Sequence, residues 1–393
     1  MGFLDCDTHV VECDETWDHF DPSERQYKPV PIELPTRLIN GEPLRLYLIG
    51  DTLCRRFPTD CRGGGVGVEH TAEVSHLRDP SVRVKKMDAL GIDVQILIST
   101  NFIAAHPDDP LAEAAVTRSF NRWILERTSG SGGRLRPLIV VPTRMLDRAI
   151  EEMEFGARNG AAGVMLKGVE HGYSLSNPYF HPLYERAQDL GLTMTVHLGA
   201  AREHIEGLGL TSYPTPPPLS YLYHGAVVSA FLDILNSDFD TRFPRLRFAF
   251  VEAGSMWVPA AFHNLSRGRS SRYAESYVQT DRGPTRVITH VDAPAMLEAH
   301  NMYVACEADD HLPYITSVIG DEHLMLGTDM CHNDTGSDPL AHTKLMERTD
   351  IPRATAERIA SLNGRRAFDI AEDFQPAAKV TEAQRREVDL AVL

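Results

Sequence analysis

The chain has 393 residues, 42% of them hydrophobic, with 39 Lys+Arg against 55 Asp+Glu and a net charge of -16. That is ample for one large barrel-type domain or two smaller ones, and an acidic chain without a basic run argues against nucleic acid or an anionic membrane as partner. No apolar run approaches the ~20 residues of a membrane span, and the six cysteines are sparse, so reduced cytosolic thiols are expected.

The first stretch, "MGFLDCDTHVVE", is apolar and then abruptly polar. It carries acids where a signal peptide would carry Lys/Arg, so no export signal is expected and the location is expected to be cytoplasmic. A strand puts residues i and i+2 on one face, so Asp7 and His9 point together from the end of strand one, with Glu12 just beyond. Residues 14–78 are rich in Pro, Gly and charge, and "PLRLYLIGDTLCRRF" reads as a hairpin. So long an insertion is expected over a barrel mouth, as lid or interface.

From about residue 80 helices and strands alternate. "DPSVRVKKMDALGI" opens with an Asp-Pro helix start and precedes the strand "DVQILIST" (93–100). "DPLAEAAVTRSFNRWILERT" repeats that start before "LRPLIVVPT" (135–143). "MLDRAIEEMEFGARNG" and "NPYFHPLYERAQDLG" end in Gly suited to a left-handed stop, and precede the strands "AAGVMLKG" (161–168) and "LTMTVHLG" (192–199). "GLGLTSYPTPPP" (207–218) is a second insertion, followed by the apolar helix "LSYLYHGAVVSAFLDILNS". The strands "LRFAFVEAG" (246–254), "NMYVACEA" (301–308) and "HLMLGTD" (323–329) follow, each with a helix after it. Eight strand–helix pairs predict an α/β protein with a parallel (β/α)8 barrel over residues 1–371 and a C-terminal arm over 372–393. A doubly wound sheet is the structural rival. The insertion and the arm would suit a homodimer.

In such a barrel, functional groups gather where strands end. Strand one offers Asp7, His9 and Glu12, strand four Lys167, strand five His197, strand six Glu252 and strand eight Asp329. Carboxylates mixed with imidazoles suit Zn, Fe, Mn or Co better than Mg or Ca. A single acid after a strand is more often a helix cap, and a lone His more often a satisfied polar group. Recurrence at the strand ends of one barrel favours a metal site of Asp7, His9, His197 and Asp329. Glu252 is either a further ligand or a general base. Glu12 and His224 are each either a ligand or a structural group. Lys167 is a carbamylated metal bridge or, preferably, an ordinary salt-bridge partner; Glu170 and His171 beside it are expected on the loop surface. His332 and Asp334 are candidates for orienting ligands. Arg144 and His106 are candidates for holding a substrate carboxylate, and Trp257, Phe102 and Met256 are expected in the wall of the mouth.

These residues resemble the amidohydrolase-related proteins, in the branch that includes aromatic-acid and aminocarboxymuconate-semialdehyde decarboxylases. The resemblance rests on "DCDTHVVE", "TVHLG", "TRFPRLRFAFVEAGSMWVP" and "LMLGTDMCHND" and extends to about residue 370. It implies a distorted (β/α)8 barrel with a divalent metal at its mouth. By motif, Asp7 and His9 match the family's strand-one pair, His197 its strand-five histidine and Asp329 its strand-eight aspartate. Two positions depart from the pattern. The decarboxylases carry Glu-x-His or His-x-His on strand one, whereas this chain has Asp-x-His-x-x-Glu. Many members have a His-Gly-Gly run after strand six, with its histidine the proposed acid/base; here the position reads Val251-Glu252-Ala253.

Asp7, Glu12, Glu252 and Asp329 with His9, His197 and His224 are too many ligands for one ion and suit two. The expectation is therefore an O2-dependent hydroxylase with two irons acting on a small organic acid, as in the few amidohydrolase-fold proteins of that kind. The alternative is a zinc or manganese hydrolase or non-oxidative decarboxylase with a single ion, in which Glu252 or His332 shuttles the proton. A non-enzymatic subunit is disfavoured, because no ligand position has been lost.

Overall fold

In a computed structural model, the protein is described over residues 2–39, 42–49, 52–55, 62–64, 68–69, 71–103, 107–199, 220–271, 277–280, 283–286, 291–332 and 336–376. Eight strands form one sheet in sequence order: β1 (Phe3–Val10), β2 (Ile92–Ser99), β3 (Leu135–Val140), β4 (Gly163–Lys167), β5 (Thr193–His197), β6 (Phe248–Val251), β7 (Met302–Cys306) and β8 (Leu324–Leu326). All seven neighbouring pairs are parallel. The sheet returns on itself just past β8, where Thr8 bridges Met330 and the amides of Asp329 and His9 donate to the carbonyls of Asp7 and Met330 at 2.9 and 2.8 Å. The result is the expected (β/α)8 barrel. Its strands are almost wholly buried, as strands covered on both faces must be.

The principal helices are α1 (Pro80–Leu90), α2 (Pro110–Thr128), α3 (Leu146–Arg158), α4 (His181–Leu190), α5 (Ser220–Leu235), α6 (Val258–Ser271), α7 (Ala293–Ala299), α8 (Leu312–Ile319) and α9 (Ala341–Glu347). The Asp-Pro starts act as read. Asp79 and Asp109 accept the amides of Ser81 and Leu111 at 3.0 and 2.9 Å. Gly91 and Gly191 end α1 and α4 at φ 75° and 70°, a conformation open to glycine at little cost. Within the 14–78 insertion the hairpin forms from Glu42–Ile49 and Thr52–Arg55, with Val30–Ile39 as a third antiparallel strand.

A helical segment over residues 353–367 closes the end of the barrel opposite the strand C-termini. Arg365 reaches Asp93 at 3.2 Å with both side chains buried, and Ser361 donates to the carbonyl of Gly2 at 2.9 Å. Among the described residues no helix is long and apolar enough to cross a membrane.

Candidate metal centre

The carboxyl ends of β1, β5, β6 and β8 bring Asp7, His9, His197, Glu252, Asp329 and His332 together. β1 carries a register irregularity between Asp5 and Thr8 against β2, which sets how Asp7 is presented. The tip of β8 approaches β1 so closely that a Cβ on Gly327 would lie 2.4 Å from Asp7 Cβ. Glu252 and Asp329 lie one and three residues beyond their strands, with φ of 59° and 51°. A left-handed backbone is unfavourable for residues with a Cβ and collects at functional sites, where it turns a side chain in a direction a strand cannot.

His9 Nε2 lies 3.2 Å from His197 Nε2, 3.4 Å from Asp7 Oδ1 and 3.2 Å from Asp329 Oδ1. His197 Nε2 is 3.8 Å from Asp7 Oδ1 and 2.7 Å from Glu252 Oε2. His332 stacks on His9 with centroids 3.4 Å apart, and its Nδ1 is 2.9 Å from Asp329 Oδ1. Its Nε2 lies 3.2 Å from the Thr100 hydroxyl. Donor atoms thus fall into two sets sharing His9: Asp7, His9 and His197, and His9, Glu252, Asp329 and His332.

The donor set fits a cation. Asp7 Oδ1, Glu252 Oε2 and Asp329 Oδ1 are buried without a hydrogen-bond partner although nitrogens lie nearby. Buried carboxylate oxygens left in that state are costly. Two imidazole nitrogens facing each other cannot both carry protons. His197 Nδ1 donates to the Leu198 carbonyl, which turns Nε2 toward the cluster.

Electrostatics follow from the packing. Burial and the neighbouring His332 disfavour a charged His9, but the carboxylates of Asp329 and Asp7 beside it overcome them and raise it to about 9. Burial likewise opposes a charged Glu252, yet His197 holds it down at about 2. Asp329 is lowered against its own burial by His332, and His332 is raised by Asp329. The carboxylates beside His9 and His332 therefore favour their protonated forms, and an incoming cation would displace those protons.

A buried polar chain supports the site from beneath. Asp5 accepts the amide and hydroxyl of Thr328 at 2.9 and 2.7 Å and the Gln95 amide at 3.2 Å. Arg83 in turn donates to Gln95 Oε1 and to the carbonyl of His9, both at 2.8 Å. Burial raises Asp5 to about 7. Ser337 donates to Asp329 Oδ2 at 2.6 Å.

Other expected residues lie elsewhere. Glu12 is buried, but its oxygens take the Ser99 hydroxyl and the Asn101 amide, the latter at 3.0 Å, and it belongs to neither donor set. His224, half-buried on α5, belongs to neither set either. Lys167 lies 3.9 Å from Glu170 Oε2, the ordinary ion pair. Glu170 is not on the surface: it is buried, accepting the Lys167 amide at 2.8 Å and the Thr143 hydroxyl at 3.2 Å. His171 is also turned inward, 3.3 Å from the buried Glu113. Arg144 is engaged by the Pro107 carbonyl at 3.1 Å and Asp108 at 3.2 Å. Trp257 packs on Phe231 and donates to the Gly254 carbonyl at 2.8 Å; Phe102 is buried, whereas Met256 is exposed. His106 and Asp334 lie outside the described residues. Sequence reasoning passed over Asp5, Ser337 and Glu307, the last of which closes the apolar run of β7 just as Glu252 closes that of β6.

Comparison with solved structures gives the same barrel. An amidohydrolase from Mycobacterium avium subsp. paratuberculosis K-10 superposes with a TM-score of 0.74 at 18% identity, over 94% of this chain and 98% of the other. 5-Carboxyvanillate decarboxylase LigW from Sphingomonas paucimobilis gives 0.58 at 16%, over 94% and 99%. A dihydroxybenzoic acid decarboxylase from Polaromonas sp. JS666, with bound manganese and an inhibitor, gives 0.56 at 16%, over 94% and 97%. Identities this low speak for the fold alone. The sequence itself matches the amidohydrolase family model over residues 4–370, and the chain belongs to that family.

Proposed function

We propose that the protein is a divalent-metal-dependent enzyme that removes the carboxyl group of a small organic acid without O2. One observation carries the metal: His9 Nε2 lies 3.2 Å from His197 Nε2 and from Asp329 Oδ1, and 3.4 Å from Asp7 Oδ1. Ligands at about 2.0–2.2 Å from one ion stand about 3.0–3.6 Å apart, so these three separations suit one cation held at His9. Mixed carboxylate and imidazole donors suit manganese or zinc. Decarboxylation is supported by the likeness to a decarboxylase of 5-carboxyvanillate and to one of dihydroxybenzoic acid that holds manganese.

The bound ion would supply a Lewis acid for a substrate oxygen. The chain's own groups do the rest. Asp7, Asp329 and the two histidines fix the ion's place, and burial of all four excludes water from that side. The iron pair and O2 chemistry expected from the sequence drew on Glu12 and His224 to fill a second site, and neither joins the donor sets. The mononuclear alternative is therefore the better supported.

The test is reconstitution. Metal-free protein is loaded with Mn(II), Zn(II) or Fe(II) and offered hydroxylated benzoates under anaerobic conditions. One Mn or Zn per chain and CO2 release without O2 are expected. Two irons per chain with reductant-dependent O2 uptake would overturn the proposal and restore the hydroxylase.

A further inference from the structure

Glu12 is buried just past the end of β1, close to the metal centre but in neither donor set. A carboxylate kept out of water is costly unless hydrogen bonds take up its charge. The Ser99 hydroxyl donates to Oε1 and the Asn101 amide donates to Oε2 at 3.0 Å, so its two oxygens grip the residues on either side of Thr100. We infer that Glu12 and Thr100 are positioning residues that hold His332 against the metal ligand His9, an inference that rests on the metal proposal above.

Contacts link Glu12 to the donor cluster without a break. Ser99 pairs in register with Val10, and the Thr100 amide donates to the Val10 carbonyl at 3.0 Å. Ser99 Oγ also accepts the Phe102 amide at 3.0 Å. The tip of β2 is therefore fastened to β1, to Glu12 and to the turn that follows it. Thr100 is buried there, with its hydroxyl 3.2 Å from His332 Nε2. The other ring nitrogen of His332, Nδ1, lies 2.9 Å from Asp329 Oδ1. The face of the ring lies on His9, with centroids 3.4 Å apart and planes 15° from parallel.

Engaging both nitrogens locks an imidazole, because a flip about the Cβ–Cγ bond breaks both contacts at once. The loop that carries His332 needs such a lock. Cys331 before it has φ 81°, a conformation that a residue with a Cβ keeps only where its surroundings impose it. Without the Thr100 hydroxyl, Nε2 has no partner among the described residues, and the ring is left to turn about its contact with Asp329. Two ligands are then loosened: His9 loses the ring stacked on it, and Asp329 loses a fixed neighbour. Glu12 acts at one remove, by keeping the β2 tip where the hydroxyl meets the ring.

The test uses the full chain. Thr100→Val removes the hydroxyl and keeps the shape, Thr100→Ser keeps the hydroxyl, and Glu12→Gln loosens the grip behind it. Calorimetric titration of metal-free protein with Mn(II) should show Thr100→Val binding about 10-fold or more weaker, with the affinity recovered in Thr100→Ser. Glu12→Gln should bind more weakly yet still take one ion, and the Glu12→Gln/Thr100→Val protein should bind no more weakly than the weaker single variant. Where Glu12→Gln does not fold, Ser99→Ala removes one of its two holds and replaces it in the cycle. Wild-type affinity in Thr100→Val, no recovery in Thr100→Ser, or losses that add in the double variant would overturn the inference. Loss of an ion from Glu12→Gln would also overturn it, by making Glu12 a ligand.

Should wild type bind no Mn(II), the metal proposal fails, and crystal structures of the metal-free variants decide the positioning alone. The His332 ring should be turned off His9 in Thr100→Val and Glu12→Gln and stacked on it in Thr100→Ser. A ring still stacked at 3.4 Å in Thr100→Val would overturn the inference.

Discussion

Gly327→Ala tests the geometry of the rim with one methyl group. The new carbon would lie 2.4 Å from Asp7 Cβ and 3.3 Å from Asp7 Cα and N. Non-bonded carbons settle at about 3.5–4.0 Å, so the gap must open by about 1.1–1.6 Å. Asp7 cannot retreat freely, because its carbonyl holds the Asp329 amide at 2.9 Å. Overpacking of this kind costs about 1–3 kcal/mol. The larger effect falls on function, since displacing a positioned group by about 1 Å costs about 10²-fold. Calorimetric titration of metal-free protein with Mn(II) should show binding weakened by about 10-fold or more, with a lowered melting temperature. Gly130→Ala is the control, because an added Cβ there meets nothing within 4 Å. Wild-type Mn(II) affinity in a folded Gly327→Ala protein would refute the placement of Asp7 against β8.

Three further substitutions probe the supports. Asp5→Asn turns an amide donor toward Thr328 or Gln95, and should cost about 1–3 kcal/mol in urea denaturation while weakening metal binding through the neighbouring Asp329; unchanged values for both would remove Asp5 from the account. Burial holds Lys86 down at about 8. The unfolded chain keeps that proton to about 10.4, so between these pH values it binds more protons than the folded protein and stability rises with pH, by up to about 3 kcal/mol. Lys86→Met should flatten that rise in urea midpoints, and parallel profiles for the two proteins would contradict it. Arg365→Met removes the guanidinium beside buried Asp93 and should destabilise by about 3–5 kcal/mol, partly restored by adding Asp93→Asn; an undiminished denaturation midpoint in the single variant would show that the pair does not brace the barrel floor.

Periodicity made the barrel legible. Uniformly apolar runs separated by Asp-Pro starts and glycine stops leave little choice but parallel strands under helices, and Asp79, Asp109, Gly91 and Gly191 act at the positions read for them. Asp7, His9, His197, Glu252 and Asp329 were legible because each ends an apolar run with a group that does not belong in a core. The left-handed turns that aim Glu252 and Asp329 were not, since no local signal marks φ above zero outside glycine. Glu307 obeys the same strand-end rule, but with Asp309 and Asp310 behind it the acid blends into a helix approach. Glu12 shows the opposite limit: spacing placed it near the rim, while Ser99 and Asn101, far along the chain, claim its oxygens. Glu170 turns inward through a two-residue hairpin pairing with Tyr173, which composition alone reads as surface.

Anomalous diffraction at the manganese edge, on crystals of the Mn-loaded protein, tests the central claim most directly. A single peak should appear about 2.0–2.2 Å from nitrogens of His9 and His197 and oxygens of Asp7 and Asp329. No peak at the rim, or a pair of ions drawing in Glu12 or His224, would contradict it.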